Sequence, residues 1–424
     1  MNGCNEYNQL SRRQVLKAGV AAGALATVPW LPQVAFGQAG GSRDVMIVLF
    51  LGGGMDGLNV CVPFGDPHYY TNRPTIAVPR PDSTAALKAI DLDGFFGLPP
   101  GLAPLKQIYT DGKLAFVHAT GADKSGWTRS HFDAQHWIES GKSNDINIAT
   151  GWLGRHLATM QPMVASAPLR AIGFDSGMID TLRGGPKTLP IPYPEYFGYD
   201  GWWSNQPEMI NWIKTSYGLT TDPLKSAASD SVATVNLLHS IDFANYAPSG
   251  GAVYPANSDL GRALRATAAM IKAGIGLEAA AIEFGGWDTH NNQGVLTGYM
   301  NGMLTELGQC LHAFYVDMMS AQKPDWTLVG MSEFGRNAIE NGSAGCDHGT
   351  ANAMMLMGGH VLGGKVVRQW PGLAVDQLFE QQDLQVTIDY RDILAEIVAK
   401  RLKNTNGSAV FPGYTPTFRN LVAA

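Results

Sequence analysis

Val45-Met46-Ile47-Val48-Leu49-Phe50-Leu51 runs without a break into Gly52-Gly53-Gly54-Met55-Asp56-Gly57-Leu58-Asn59. Seven consecutive apolar residues leave no polar face, so a strand built from them belongs at the centre of a sheet with helices on both sides. The glycines stop that strand sharply and set Asp56 just beyond its carboxyl end. Shorter apolar runs repeat the pattern at Leu114 to His118, Leu169 to Phe174, Ala279 to Phe284, Thr327 to Met331 and Ala353 to Met357. Between them, Asp259 to Ala273, Leu296 to Met319 and Asp392 to Leu402 space their apolar residues as helices do. This alternation predicts an α/β fold with a central, mostly parallel sheet flanked by helices. Residues 180–256, with Pro190, Pro192, Pro194 and tryptophans 202, 203 and 212, read as a Pro/Trp-rich insertion or cap in a single domain spanning 38–424. The segment from Asn404 to Phe418 reads as an irregular surface tail.

Composition narrows the functional classes. Only 16% of the 424 residues are charged, and the net charge is −6 with no basic run. A nucleic-acid binder that works by neutralising phosphates is thereby disfavoured. No stretch of 18 apolar residues exists, so the mature protein is expected to have no integral membrane span. Ser11-Arg12-Arg13-Gln14-Val15-Leu16-Lys17, ahead of a weakly apolar Ala/Gly-rich segment, resembles a twin-arginine export signal. Cleavage near Ala35-Phe36-Gly37 would make residues 1–37 the signal. The expected destination is the periplasm or the exterior, with the twin-arginine translocation machinery as a partner. That route carries folded cargo, often already loaded with a cofactor. Cys61, Cys310 and Cys346 remain in the mature chain, an odd number without a CxxC pair, which argues against thiolate zinc and leaves at least one free thiol.

Polar clusters follow the ends of the predicted strands, where ligands bind in open α/β sheets. They are Gly52 to Asn59, His118 to Gln135, Gly285 to Gln293 (GGWDTHNNQ), Ser332 to Arg336 (SEFGR) and Cys346 to Gly349 (CDHG). Asp56 reads equally well as a ligand to a cation or as a helix cap. Asp288 and His290, two apart on an extended loop, can share a divalent ion, and the next strand again ends in an acid followed by a histidine. Glu333, at the end of a buried strand, needs either Arg336 as a salt-bridge partner or a metal. His348 suits a ligand, and Asp347 suits either a ligand or the group that fixes its tautomer. Ser130 has two readings: a hydroxyl activated by a metal, with Arg129 available for an anion, or the N-cap of a helix whose third residue is Asp133.

GGGMDGLN, SHFDAQ, GGWDTHNNQ, SEFGR with a later DHG, and DYRDILAEI together resemble the exported bacterial family catalogued as domain of unknown function 1501. The resemblance spans essentially the whole mature chain and implies kinship with the alkaline phosphatase and sulfatase superfamily. It thus implies an alkaline-phosphatase-like sheet and a metal-assisted site for phosphate or sulfate esters. In that pattern Asp56 matches the Asp after the first strand, Ser130 the nucleophile, Asp288 and His290 the later Asp-His pair, and His348 the last histidine. Glu333 and Phe334 replace the usual Asp and His, with His118 or His131 as replacement ligands. A rival register places Asp347 and His348 on the Asp-His pair and His360 last.

The expectation is an exported metal-dependent hydrolase-like protein acting on an anionic small-molecule or glycan ester. Its divalent metal would be zinc, calcium, magnesium or manganese, held by Asp56, Asp288, His290, Glu333, Asp347 and His348. Ser130, Arg129 and Arg336 are the expected catalytic groups. The alternative is a non-catalytic binding or assembly protein on the same scaffold.

Overall fold

The computed structural model describes residues 43–122, 127–199 and 206–424. The signal segment 1–37 and tryptophans 202 and 203 lie outside the described residues. A nine-stranded sheet organises the molecule. In chain order its strands are β1 (Val45–Phe50), β2 (Leu114–Gly121), β3 (Ala171–Gly173), β4 (Thr188–Pro190), β5 (Ala279–Glu283), β6 (Trp326–Met331), β7 (Asn352–Gly358), β8 (Lys365–Val367) and β9 (Ile388–Asp389). The sheet runs β8-β2-β7-β6-β1-β5-β3-β4, and β9 also pairs with β2. Only β7 is antiparallel to its neighbours β2 and β6; every other pairing is parallel.

β1 lies at the centre, paired with β5 and β6, and its alternation divides the core. Val45, Ile47, Leu49 and Leu51 enter one apolar cluster, whereas Met46, Val48 and Phe50 enter the other. Each such large apolar side chain contributes about 1.5–3 kcal/mol through burial. On the first face lie α5 (Asp259–Ala273) and α6 (Tyr299–Ser320). On the second lie α2 (Trp152–Thr159) and α7 (Tyr390–Lys400), preceded in the chain by α1 (His131–Ser140). The helix over Asp259–Ala273 has the bounds its spacing predicts: Ser258 caps its start by accepting from the Gly261 amide at 2.8 Å, and left-handed Gly274 ends it.

Within 180–256, α3 (Gln206–Gly218) and α4 (Leu224–His239) form a helical pair, and β4 adds an edge strand to the sheet. Proline is tolerated there because an edge leaves a row of amides unused. The tail over Asn404–Phe418 is irregular except for one helical turn at Gly407–Val410, and Phe411 stacks on Trp152. Cys61, Cys310 and Cys346 are buried and unbridged. No helix among the described residues is long and apolar enough to cross a membrane.

Candidate metal centre

Three loops meet beyond the carboxyl ends of β1, β5 and β6. The first is the glycine turn after β1. Gly53 takes φ +112°, and a side chain there would collide with the backbone of Trp287 and Asp288. This close approach lets the Gly53 amide donate to Glu333 Oε1 at 2.8 Å. The second carries Asp288 and His290. The third, residues 332–351, leaves β6 and returns on β7 as an arch. Its two legs continue the ladder: the Asn337 amide donates to the Asp347 carbonyl at 2.9 Å, and the Gly349 amide to the Gly335 carbonyl at 2.9 Å. Arg336 and His348 pair as an antiparallel bridge.

The arrangement brings four expected site residues together. Asp288 Oδ1 lies 2.9 Å from His290 Nε2, 3.2 Å from His348 Nε2 and 2.6 Å from Arg336 Nη2. The Nε2 atoms of His290 and His348 are 3.0 Å apart. His131, at the first position of α1, adds a third imidazole, its Nε2 3.6 Å from Asp288 Oδ1. His131, Asp288 and His348 each offer a ligand atom within 4.8 Å of the others.

The far sides of the three rings explain why these nitrogens converge. His131 Nδ1 is 2.7 Å from Glu333 Oε1, His290 Nδ1 is 2.7 Å from Asp347 Oδ1, and His348 Nδ1 is 2.9 Å from the Arg129 carbonyl oxygen. An acceptor at Nδ1 holds the proton there and turns the Nε2 lone pair toward the common point. Three such lone pairs facing a carboxylate oxygen repel one another unless protons or a cation lie between them, and Arg336 Nη1, 3.3 Å from His290 Nε2, donates one such proton. The proton affinities reflect this. Burial opposes charge on His131, but the nearby carboxylates of Asp288 and Glu333 outweigh it and raise its pKa to about 9. The hydrogen bond with Asp288 raises His290. Burial would raise Asp288, yet the three imidazoles and Arg336 hold it well below the usual carboxylate range. Glu333, fully buried, is also lowered, chiefly by His131 against the cost of burial.

Arg336 is enclosed. It donates to the carbonyls of Gly53, Gly54, Trp287 and Cys346 as well as to Asp288. The salt bridge considered between Glu333 and Arg336 is therefore replaced by Arg336–Asp288, and Glu333 pairs with His131. Phe334 packs against the rings of His131 and His348, with centroids 4.9 and 4.8 Å away.

Like His290, Glu333 and Asp347, Asp56 is in neither of the two groups of ligand atoms found among the described residues. Its Oδ2 accepts from Arg73 Nη1 at 2.6 Å and from Gln293 Nε2 at 2.7 Å, and it makes no side-chain cap. Ser130 occupies the N-cap of α1, accepting from the Asp133 amide at 3.5 Å. The Arg129 side chain turns to Glu380 and Asp383, at 3.0 and 3.5 Å, and stacks on Trp127. His118 is a core residue: it stacks on Phe96, contacts the Cys61 carbonyl at 3.0 Å, and burial lowers its pKa to about 4. His360 is elsewhere, 3.0 Å from Asp325. The sequence left His131 as one of two substitute ligands; its place at the start of the SHFDAQ helix was the available signal.

The model for the family described as "Protein of unknown function (DUF1501)" matches residues 251–412, and that for the twin-arginine translocation signal matches residues 9–29. No curated protein matches the chain. Among solved structures, Ps i-CgsB in complex with k-i-k-neocarrahexaose is 9% identical, with 88% of this chain and 75% of that chain covered and a TM-score of 0.38. PsFucS1 sulfatase from Pseudoalteromonas sp. is 10% identical, with 90% and 74% covered and a TM-score of 0.37. An alkaline phosphatase superfamily protein from Vibrio parahaemolyticus is 10% identical, with 85% and 72% covered and a TM-score of 0.33. Behind a twin-arginine export signal, the chain carries the DUF1501 region over residues 251–412.

Proposed function

We propose that this exported protein binds one divalent transition-metal ion through His131, His290, His348 and Asp288 and uses it to hydrolyse a phosphate or sulfate ester. The observation that carries the reading is the set of three imidazoles whose Nδ1 atoms all face acceptors and whose Nε2 atoms face one carboxylate oxygen. Three nitrogens with one oxygen suit zinc, with manganese second, over calcium or magnesium, which prefer oxygen. When bound, such an ion supplies Lewis-acid polarisation of an ester oxygen.

The protein's own groups prepare that chemistry. Glu333, Asp347 and the Arg129 carbonyl fix the three tautomers. Arg336, committed to four carbonyls, anchors Asp288 and does not reach for substrate. Phe334 excludes water from one side of His131 and His348. This reading assigns the attacking hydroxyl to Ser130, whose bond to phosphorus or sulfur would form as the ester's alcohol leaves and would then be cleaved by water, and contact with the ester's negative charge to Arg129.

The test is metal analysis of the exported protein together with turnover of an aryl phosphate and an aryl sulfate. One equivalent of metal, lost in Asp288→Ala, and turnover lost in Ser130→Ala are expected. Metal-free folded protein, with no metal taken up on addition, would overturn the assignment. The second reading, a binding or assembly protein without turnover, is favoured by the Asp56–Arg73 ion pair, which occupies the carboxylate that a second metal would need. Bound metal without Ser130-dependent turnover would establish it in place of the first.

A further inference from the structure

A cavity of 760 Å³ opens between the 180–256 insertion and the first turns of α5. It shares no lining residue with the metal centre. α5 leads through a short turn into β5, so its first turns lie at the end of the sheet where β5 finishes, the same end as the metal centre. The volume is that of a small-molecule site.

The wall is aromatic and the rim is charged. Tyr196 lies 70% exposed at the mouth. Tyr246 and Tyr254 commit their hydroxyls to the buried Asp317 carboxylate, at 2.7 and 2.9 Å, and so offer ring surface rather than hydrogen bonds. Arg262 and Arg265 line the cavity from one face of α5. They differ in what neutralises them. Arg262 pairs with Asp259, has Glu195 at 4.0 Å and lies 4.1 Å over the Tyr193 ring. Arg265 donates to one carbonyl, that of Tyr246, at 2.9 Å, and among the described residues no carboxylate pairs with it. Two carboxylates also line the cavity: Asp242 accepts from Asn245 with both oxygens and keeps its charge, and Glu195 Oε2 is buried without a hydrogen-bond partner among the described residues.

We infer that this cavity binds an acidic sugar, with the carboxylate on Arg265 and the pyranose ring against the tyrosines. A guanidinium with unused donors matches a planar carboxylate in a two-point contact. Flat aromatic surface meets the apolar face of a sugar ring, and the charged rim supplies partners for hydroxyls. The inference does not depend on metal or turnover.

Calorimetric titration of the full exported protein with a galacturonic acid trimer, and with the uncharged galactose trimer, tests it. Saturable binding of the acidic trimer is expected, at least tenfold tighter than the neutral one. Arg265→Gln should weaken it at least tenfold and Tyr196→Ala severalfold, with unchanged melting temperatures, while Asp288→Ala should bind as the wild type does. No saturable binding of the acidic trimer, equal affinity for both trimers, or an Arg265→Gln variant that binds undiminished would overturn the inference.

Discussion

Glu139, one residue from the end of α1, provides a measurement of how the α1 region responds to pH. Its side chain is buried, and Oε1 accepts from the Thr181 hydroxyl at 2.8 Å and from the Thr181 amide at 3.3 Å. Burial, then the charges of Asp180 and Glu283, push its pKa up to about 8 against the help from Thr181. The folded protein therefore keeps a proton that the unfolded chain releases above about pH 4.5. Stability is full below that value, falls as pH rises toward 8, and levels off above it. The interval corresponds to roughly 5 kcal/mol. Glu139→Gln mimics the protonated form at every pH and should remove this slope. Urea unfolding followed by tryptophan fluorescence at pH 5 and pH 8.5 reads both effects: near-equal stability at pH 5, and a variant more stable than wild type by a few kcal/mol at pH 8.5. If both proteins lose the same stability between the two pH values, Glu139 is ionised in the fold and the reasoning fails.

Arg73→Met strands the Asp56 carboxylate in the core and should cost about 3–5 kcal/mol in urea unfolding. Adding Asp56→Asn should recover most of that, and failure to recover would show that Arg73 acts mainly through the Asn337 and Ala338 carbonyls, to which it also donates. Glu333→Gln and Asp347→Asn weaken the acceptors behind His131 and His290, so chelator competition should show zinc affinity reduced by about 10–100-fold with the fold retained. Unchanged affinity in both would remove the tautomer argument. Because Cys61, Cys310 and Cys346 are buried without bridges, dithiothreitol should leave the melting temperature of the exported protein unchanged; a drop would reveal a disulfide.

The strands were legible because burial on both faces leaves an unbroken apolar run, as in β1. Such a run carries no sign of direction, and so the reversed course of β7 could not be read. The site loops announced themselves through acids and histidines in glycine-rich segments after strands. Asp288, His290, Glu333, Asp347 and His348 all fall there. What stayed hidden was partner choice. Arg73 reaches Asp56 from just past the end of a short helix (His68–Asn72), 17 residues away, and no periodicity links the two. Arg336, three residues from Glu333, turns instead to Asp288 across the site. Proximity along the chain was a poor guide to pairing because the strand ends, not the local spacing, decide which loops face each other.

The arch over residues 332–351 stands with both feet on adjacent antiparallel strands, β6 and β7. It holds Glu333, Phe334, Arg336, Asp347 and His348 on a segment whose ends the sheet itself brings together. Closing so short a loop costs little chain entropy, and its pairings are local in sequence. The β6–arch–β7 hairpin is therefore a low-contact-order unit, able to fold ahead of the parallel pairings that bring in β1 and β5. Docking of the other loops then fixes the side chains of Glu333, Arg336 and Asp347, whose partners Gly53, His131, Asp288 and His290 lie outside the arch. Assembly of the centre thus depends on the long-range docking of β1, β5 and α1, and that is where slow folding would first show in the proposed metal site.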